Sequence, residues 1–342
     1  MASRSTDMTL TFNSDVGMRT SELDYELPPE LIAQRPLQRR DESRLLVFDR
    51  ASGAVEHRRF RDLGTFIASE TLVVVNDTRV LPARLMLERP TGGRTEVLLL
   101  ERVEGEVWEA LARPSRRLRE GMRLGPVEFL ESLGEGRWRL RLSGEPDGEA
   151  PLPPYITEPL KDAERYQTVY AEESGSAAAP TAGLHFTPEL LASLDVERVT
   201  LHVGLDTFRP VTAETLAEHR LHSERYEVGE GAWARIEAAT HVTAVGTTTV
   251  RVLESVARGA PLAGRTDLFV TPGFEFRRVD SLVTNFHLPR SSLLALVMAF
   301  AGVEETRRLY EIAIEERYRF YSFGDAMLIL RGATPCLHPL RA

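Results

Sequence analysis

Val242-Thr243-Ala244-Val245-Gly246-Thr247-Thr248-Thr249-Val250-Arg251-Val252-Leu253 changes its period at one glycine. Before Gly246, Val242–Val245 is a short apolar run of strand length. After it, a hydroxyl-rich start leads into a helix over Val250–Ala257. A strand that feeds a helix through a glycine turn is the repeating unit of α/β folds. The same alternation continues through residues 155–342. Val199–Val203 reads as a strand, Glu230–Ala239 as a helix, and Leu268–Val270 as a strand closed by Pro272-Gly273. Ser291–Ala301 reads as an apolar helix, Glu304–Arg319 as an amphipathic one and Ala326–Leu330 as a last strand. Toward the N-terminus, Leu27-Pro28-Pro29-Glu30-Leu31-Ile32 starts a helix with proline in its first turn. Leu45–Phe48 reads as a strand and Phe60–Ser69 as a short amphipathic helix. Thr71–Val75 is a buried strand ending in Asn76-Asp77-Thr78-Arg79.

Residues 88–150 have a different character. Short strands recur at Thr95–Glu101, Val107–Ala112, Val127–Ser132 and Arg137–Leu142, punctuated by glycines, which predicts a small antiparallel barrel inserted into the larger domain. In the last strand Trp138, Leu140 and Leu142 alternate strictly with Arg137, Arg139 and Arg141. Pro146–Pro154 reads as the return linker. The expected division is a flexible leader over 1–20, a discontinuous catalytic α/β domain over 21–87 and 151–342, and the insert between them.

Composition narrows the class. The 342 residues carry a net charge of −9 and 42 % hydrophobic side chains, enough for a packed core. One cysteine, Cys336, excludes a disulfide scaffold and a multi-cysteine zinc site. The longest apolar run, Leu293–Ala301, is far short of the roughly 20 residues of a membrane span. Met1–Thr20 has no apolar signal core, so a cytoplasmic protein is expected. Lys161 is the single lysine, all other bases being arginine, and Asn13, Asn76 and Asn285 are the only asparagines. Positions that resist such a drift are candidates for chemical constraint, and Asn76 and Asn285 fall in dense motifs.

Six segments mix small, polar and imidazole residues. In Ser174–Thr187, glycine and alanine let backbone approach a ligand, and Thr187 before Pro188 caps a helix beside His185. Strand Thr200–Phe208 aims His202 away from Leu201 and Val203. His219 and His222-Ser223-Glu224-Arg225 form an acid–base cluster. Gly246-Thr247-Thr248-Thr249 with Arg251 makes an anion site, since free N–H groups and the helix dipole face the ligand. Thr284-Asn285-Phe286-His287 runs toward another helix, with Asn285 and His287 on one face if extended. Tyr318-Arg319-Phe320-Tyr321-Ser322-Phe323-Gly324-Asp325 offers aromatics for stacking on a base; a hydrophobic hinge reads equally well. Arg113, Arg116, Arg117 and Arg119 belong to a stretch with five arginines and one acid, Glu120, suited to RNA phosphates. Dinucleotide, P-loop, zincin and nucleophile-elbow signatures are absent. No metal is expected, because no two histidines have a helical ligand spacing beside a carboxylate.

Taken together, these segments resemble the S-adenosylmethionine:tRNA ribosyltransferase-isomerases of queuosine biosynthesis, the QueA family. The likeness spans about Tyr25 to Leu330. It rests on Tyr25-x-Leu27-Pro28, Ser43-Arg44-Leu45-Leu46 and Asn76-Asp77-Thr78-Arg79-Val80-Leu81-Pro82-Ala83-Arg84. It continues with Ala179-Pro180-Thr181-Ala182-Gly183-Leu184-His185-Phe186, His222-Ser223-Glu224, Thr284-Asn285-Phe286-His287-Leu288-Pro289 and Phe323-Gly324-Asp325-Ala326-Met327. Asp206 departs from a usual glycine and Arg79 from a common lysine.

The resemblance implies a large mixed α/β domain built around a β-barrel-like sheet, with a smaller inserted all-β barrel. It implies ribosyl transfer and isomerisation from S-adenosylmethionine onto 7-aminomethyl-7-deazaguanine at the tRNA wobble position, giving epoxyqueuosine and releasing adenine and methionine. His185, His222, Glu224, Asn285, His287 and Asp325 become the catalytic candidates, and His185, Glu224, Asn285, His287 and Asp325 are expected to line one pocket. Gly246, Thr247, Thr248, Thr249, Arg251, Thr181 and Gly183 become the candidates for S-adenosylmethionine. The four arginines, with Tyr318, Phe320 and Tyr321, become those for RNA. A monomer is expected. Two other classes compete: a non-enzymatic RNA-binding protein, and an S-adenosylmethionine methyltransferase, whose glycine-rich turn is missing.

Overall fold

The computed structural model describes residues 17–204 and 210–330. Asp206, Cys336 and the chain up to Val16 lie outside the described residues. The expected leader ends earlier than Thr20, which is buried and donates its backbone N–H to the Glu214 carbonyl at 2.9 Å.

Along the chain, β1 (Arg44–Asp49), β2 (Val55–Arg59) and β3 (Thr71–Asn76) precede a short β4 (Thr78–Val80). Then come β5 (Arg84–Glu88), β6 (Arg94–Glu104), β7 (Val107–Arg113), β8 (Arg123–Leu124), β9 (Val127–Gly134) and β10 (Arg137–Leu142). The rest holds β11 (Glu173–Ser176), β12 (Val196–Leu201), β13 (Glu224–Glu227), β14 (His241–Val245), β15 (Ala263–Thr266), β16 (Ser281–Asn285) and β17 (Ala326–Leu330). The helices are α1 (Pro188–Ala192), α2 (Glu230–Ala238), α3 (Thr247–Val256), α4 (Ser292–Ala301) and α5 (Val303–Glu315).

Nine strands form the large sheet in the order β15-β13-β12-β3-β14-β16-β17-β1-β2. Strands β12, β3, β14 and β16 run parallel; β17 and β1 are parallel to each other and oppose β16. Every residue of β3 is buried. Leu72 and Val74 enter an apolar cluster with α3, α4 and α5, while Val73 and Val75 enter a second one with Phe60, Leu63 and Phe186. Both faces are covered, which is why this strand reads as an unbroken apolar run and not as an alternation. Helix α3 is buried along its whole length, whereas α5 buries Thr306, Leu309, Tyr310 and Ala313 at helical spacing.

The insert is a six-stranded antiparallel sheet, order β5-β6-β7-β10-β9-β8. Leu85 on one edge strand and Leu124 on the other join the same apolar interior, so the sheet curls into a nearly closed barrel. On β10 the alternation appears as expected: Trp138, Leu140 and Leu142 are buried, and Arg137, Arg139 and Arg141 pair outside with Glu109, Glu131 and Glu128. The barrel begins at Arg84, ahead of Glu88, because Arg84 and Glu149 exchange two backbone bonds of 3.0 Å and tie its entry to its exit.

Three expected elements differ. The proline-led segment makes a 3₁₀ turn, Pro29–Leu31, and the expected helix at Phe60 shortens to a 3₁₀ turn, Phe60–Thr65. Leu268–Val270 is not a strand. The Leu268 carbonyl accepts instead from Arg251 Nε at 2.9 Å, and the strand lies earlier, at β15.

Helix α3 is tied to the following loop by one side chain. Glu254 is fully buried and accepts the backbone N–H groups of Arg277, Arg278 and Val279 at 2.9–3.1 Å, together with the Arg258 guanidinium. Glu254→Ala would strand those donors. It is expected to lower stability by about 3–5 kcal/mol, read from the denaturant midpoint, with Glu254→Gln costing less.

Candidate active site

A cleft of about 930 Å³ separates the barrel from the large sheet. The sheet side contributes His202, His222, Glu224, Arg225, Thr248 and Arg251; the barrel contributes Arg102, Trp108, Glu109 and Arg137.

The cleft starts where β3 ends. Asn76 is fully buried and its carboxamide is saturated. Nδ2 donates to the Leu201 carbonyl at 3.0 Å and to Thr248 Oγ1 at 3.3 Å; Oδ1 accepts from the Leu201 and Thr78 N–H groups at 3.0 and 3.2 Å. One side chain thereby joins β3, β12, β4 and the start of α3. Next to it, Thr78 Oγ1 lies 2.8 Å from His202 Nδ1. A Cβ on Gly175 would come within 2.7 Å of the His202 ring, so a glycine is needed there. Burial, then the Arg225 charge, lowers the His202 pKa.

Glu224 is held from two sides. Its Oε1 accepts the Gly204 N–H at 2.8 Å, and its Oε2 meets the Arg251 guanidinium. Arg251 also donates to the Leu268 carbonyl at 2.9 Å and the Thr266 carbonyl at 3.1 Å. Its fork is thus engaged by Glu224 and two backbone carbonyls, while the residue lines the cleft. Gly246, with φ +89°, makes the turn from β14 into α3, a conformation that L side chains rarely adopt. Of the hydroxyls that follow, Thr249 bonds back to the Val245 carbonyl at 2.7 Å, and Thr248 lines the cleft. Thr181 and Gly183 are not among its lining residues. They lie in a 3₁₀ turn, Thr181–His185, packed beneath, where a Cβ on Gly183 would collide with the Tyr170 hydroxyl.

The catalytic candidates do not share one pocket. His222 and Glu224 line the cleft. His185, Asn285 and Asp325 meet elsewhere, in the core. His185 Nδ1 is 2.8 Å from Ser43 Oγ and its Nε2 is 3.1 Å from Asn285 Nδ2, which also reaches the Asp325 carbonyl at 3.3 Å. The network is consistent with a proton on Nδ1, an assignment made from its partners. The Asp325 carboxylate accepts the Arg44 and Arg319 backbone N–H groups at 2.9 and 2.8 Å. His287 bonds Thr284 Oγ1 at 2.7 Å, and its N–H donates to the Tyr310 hydroxyl at 2.9 Å. The expectation fails because neighbours along a strand face opposite sides: Thr284, and His287 with it, turns away from Asn285.

The aromatic segment is a correction too. Tyr318, Phe320 and Tyr321 are buried, and Phe286 packs on the Tyr318 and Phe320 rings at 5.5 and 4.8 Å, so no face is open to an RNA base. Arg113, Arg116, Arg117 and Arg119 are exposed at one end of the barrel and make no ion pair among the described residues. Among the described residues no three metal-ligating side chains cluster. Sequence reasoning missed the barrel's contribution to the cleft, Arg102, Glu109 and Arg137, because nothing in a strand's alternation says what its outer face will meet.

Known proteins agree with this architecture. A family model described as "Queuosine biosynthesis protein" matches residues 20–329. An S-adenosylmethionine:tRNA ribosyltransferase-isomerase from Rubrobacter xylanophilus is 55 % identical over 331 residues, covering 92 % of this chain and 98 % of its own. One from Carboxydothermus hydrogenoformans is 51 % identical over 340 residues, covering 92 % and 100 %. The crystal structure of S-adenosylmethionine tRNA ribosyltransferase from Thermotoga maritima superposes with a TM-score of 0.53 at 38 % identity, covering 91 % of this chain and all of that one.

The core histidines make a measurable claim. Burial is the main cause that lowers both His185 and His287 to about 3, Arg319 and Arg40 adding to it for His185. Folded, they stay neutral below their ordinary value of 6.5, while the unfolded chain takes up protons there. Acid therefore favours unfolding, and stability rises with pH up to about 6.5. Between pH 6.5 and 5 each should cost about 2 kcal/mol. Denaturant melts of His185→Gln across that range should show a correspondingly shallower loss.

Proposed function

The chain belongs to the family of queuosine biosynthesis proteins and is an S-adenosylmethionine:tRNA ribosyltransferase-isomerase, and we propose that it works in the cleft between the barrel and the large sheet. The reaction so implied takes the ribosyl group of S-adenosylmethionine onto 7-aminomethyl-7-deazaguanine in the tRNA wobble position and releases adenine and methionine. One observation carries the placement. Segments far apart in sequence bring Glu224, His222, His202 and Thr248 to one cleft of about 930 Å³, a size in the upper range of small-molecule pockets.

The chemistry matches those side chains. The sulfonium acidifies the adjacent ribose carbon, so a proton acceptor is needed there. Adenine leaves more readily when protonated, and the substrate ammonium must lose a proton before it attacks. Glu224, oriented by the Gly204 N–H and Arg251, serves as proton acceptor. His222, exposed at the cleft, serves as the second proton-transfer group. The Gly246–Thr249 turn at the start of α3 takes the methionine carboxylate through the helix N-terminus and the Thr248 hydroxyl. His185, Asn285, His287 and Asp325 act as positioning residues beneath it.

The RNA is held outside the cleft by Arg113, Arg116, Arg117 and Arg119. Their support is that they are exposed cations without a carboxylate partner, in a fold where most arginines have one. Residues 88–150, extended back to Arg84, form the inserted domain, and 21–83 with 151–342 the catalytic one. One chain supplies both walls of the cleft, which favours a monomer. No helix among the described residues is long and apolar enough to cross a membrane; a tRNA substrate supports a cytoplasmic reaction.

Incubation with S-adenosylmethionine and tRNA bearing 7-aminomethyl-7-deazaguanine should release adenine and methionine; S-adenosylhomocysteine would mean methylation instead. Glu224→Gln should slow adenine release by about 10²–10⁴-fold without loss of tRNA binding, and full turnover would remove Glu224 from the reaction. Alanine at Arg116, Arg117 and Arg119 should weaken tRNA binding and reduce its salt slope by about 0.7–0.9 for each phosphate no longer neutralised. An unchanged slope would leave these arginines as a solvated loop.

A further inference from the structure

We infer that Arg225 anchors an RNA phosphate at the rim of the cleft, a role that rests on the cleft being the active site. The inference comes from how charges around the cleft are matched. Arg102 binds Glu145 at 2.7 Å, Arg137 binds Glu109 at 3.1 Å, Arg265 binds Glu101 at 2.6 Å, and Arg251 binds Glu224. All of these residues line the cleft. Arg225 lines it too, is exposed, and has no ion-pair partner among the described residues. It is the arginine left over.

Its position makes that costly without a ligand. In the β13–β15 ladder Arg225 stands directly opposite Arg265. Like charges facing each other across an antiparallel pair repel, with their Cβ atoms about 4.5–5.5 Å apart. Arg265 is held by three contacts. Its Nε donates to Ser223 Oγ at 2.8 Å, one terminal nitrogen donates to the Ser223 carbonyl at 2.7 Å, and the other holds Glu101 on the barrel. An anion beside Arg225 would relieve the repulsion and use a guanidinium fork whose geometry suits phosphate.

Place in the cleft selects the anion. Thr248, at the start of α3, is buried, so a small carboxylate reaching it sits on the floor. Arg225 is exposed, next to the Arg265–Glu101 pair that joins the sheet to the barrel. A polyanion entering from solvent meets Arg225 at this rim before it reaches the buried Thr248. The phosphate is therefore one next to the target nucleotide, as its base descends into the cleft.

Binding of the full chain to tRNA, without S-adenosylmethionine, tests this. Arg225→Ala should weaken tRNA binding roughly 10-fold and reduce the salt slope by about 0.7–0.9. Arg225→Lys should keep the slope and lose part of the affinity, because it keeps the charge and loses the fork. S-adenosylmethionine affinity, measured alone by calorimetry, should be unchanged in both variants. Thermal melts should show Arg225→Ala at least as stable as the parent, since a repulsion is removed. Loss of S-adenosylmethionine affinity with tRNA affinity intact would make Arg225 the carboxylate anchor and overturn the proposal, and so would no change in either. Full turnover by Glu224→Gln would instead count against the placement of the reaction, a separate outcome from these binding curves.

Discussion

The cleft exists because β3 leaves the sheet at Asn76 and the barrel grows from the strand that follows. Ending a central parallel strand exposes unpaired backbone groups on its neighbour, and buried unpaired groups cost about 1–3 kcal/mol each. Asn76 meets this by presenting one donor edge and one acceptor edge to Leu201, as another strand residue would, and by using its remaining capacity on Thr78 and Thr248. Aspartate lacks the donor and leucine lacks both edges. The same four bonds set β12, β4 and the N-terminus of α3 in mutual register, so the two walls of the cleft share one reference point.

From that point the geometry follows by covalent neighbourhood. Asp77 accepts from Thr200 Oγ1 at 2.7 Å and Thr78 reaches His202 at 2.8 Å, so the two residues after β3 grip the end of β12 and the residue just past it. On the same wall of the cleft α3 carries Arg251, whose fork crosses to β13 and holds Glu224. Buried ion pairs of this kind offset their desolvation only when every remaining donor is bonded. Each of the three Arg251 guanidinium nitrogens has a partner, Glu224, the Thr266 carbonyl and the Leu268 carbonyl, and the last of these puts a side chain on a carbonyl of the segment where a strand was expected.

What can be read from sequence follows from local period, and what cannot depends on distant partners. The strand–glycine–helix unit at Gly246, the arginine–tryptophan alternation of β10 and the helix at Ser291 are local and appear where expected. Asn76 and Asn285, singled out by their rarity, are both buried crosslinks. Strands β13 and β15 are invisible in the sequence because they are four residues long, polar, and stabilised by each other from opposite ends of a connection. Tyr318, Phe320 and Tyr321 resemble a stacking platform because polar neighbours surround them in sequence; in space Arg44 covers Tyr318 and Asp325 is consumed by backbone donors. The motifs that carry the family resemblance thus contain two kinds of residue, those at the cleft and those that build its support, and only tertiary contacts separate them.

That separation bears on where protons move. His185 has both ring nitrogens bonded and a pKa lowered to about 3, and His287 is lowered to about 3 by burial. A group that accepts a proton only near pH 3 is a weak base at neutral pH, since general-base catalysis needs a basicity near the working pH. A charge placed on either ring would also have no carboxylate beside it: Asp325 is committed to Arg44 and Arg319, and Thr284 offers a hydroxyl. Their value lies in being neutral and rigid. Each ties a strand end to a loop through directional bonds without adding a buried charge, which would otherwise compete with the sulfonium for the site's carboxylates. On the placement proposed above, proton transfer falls to the side chains that face the cleft, where water and substrate can exchange with them.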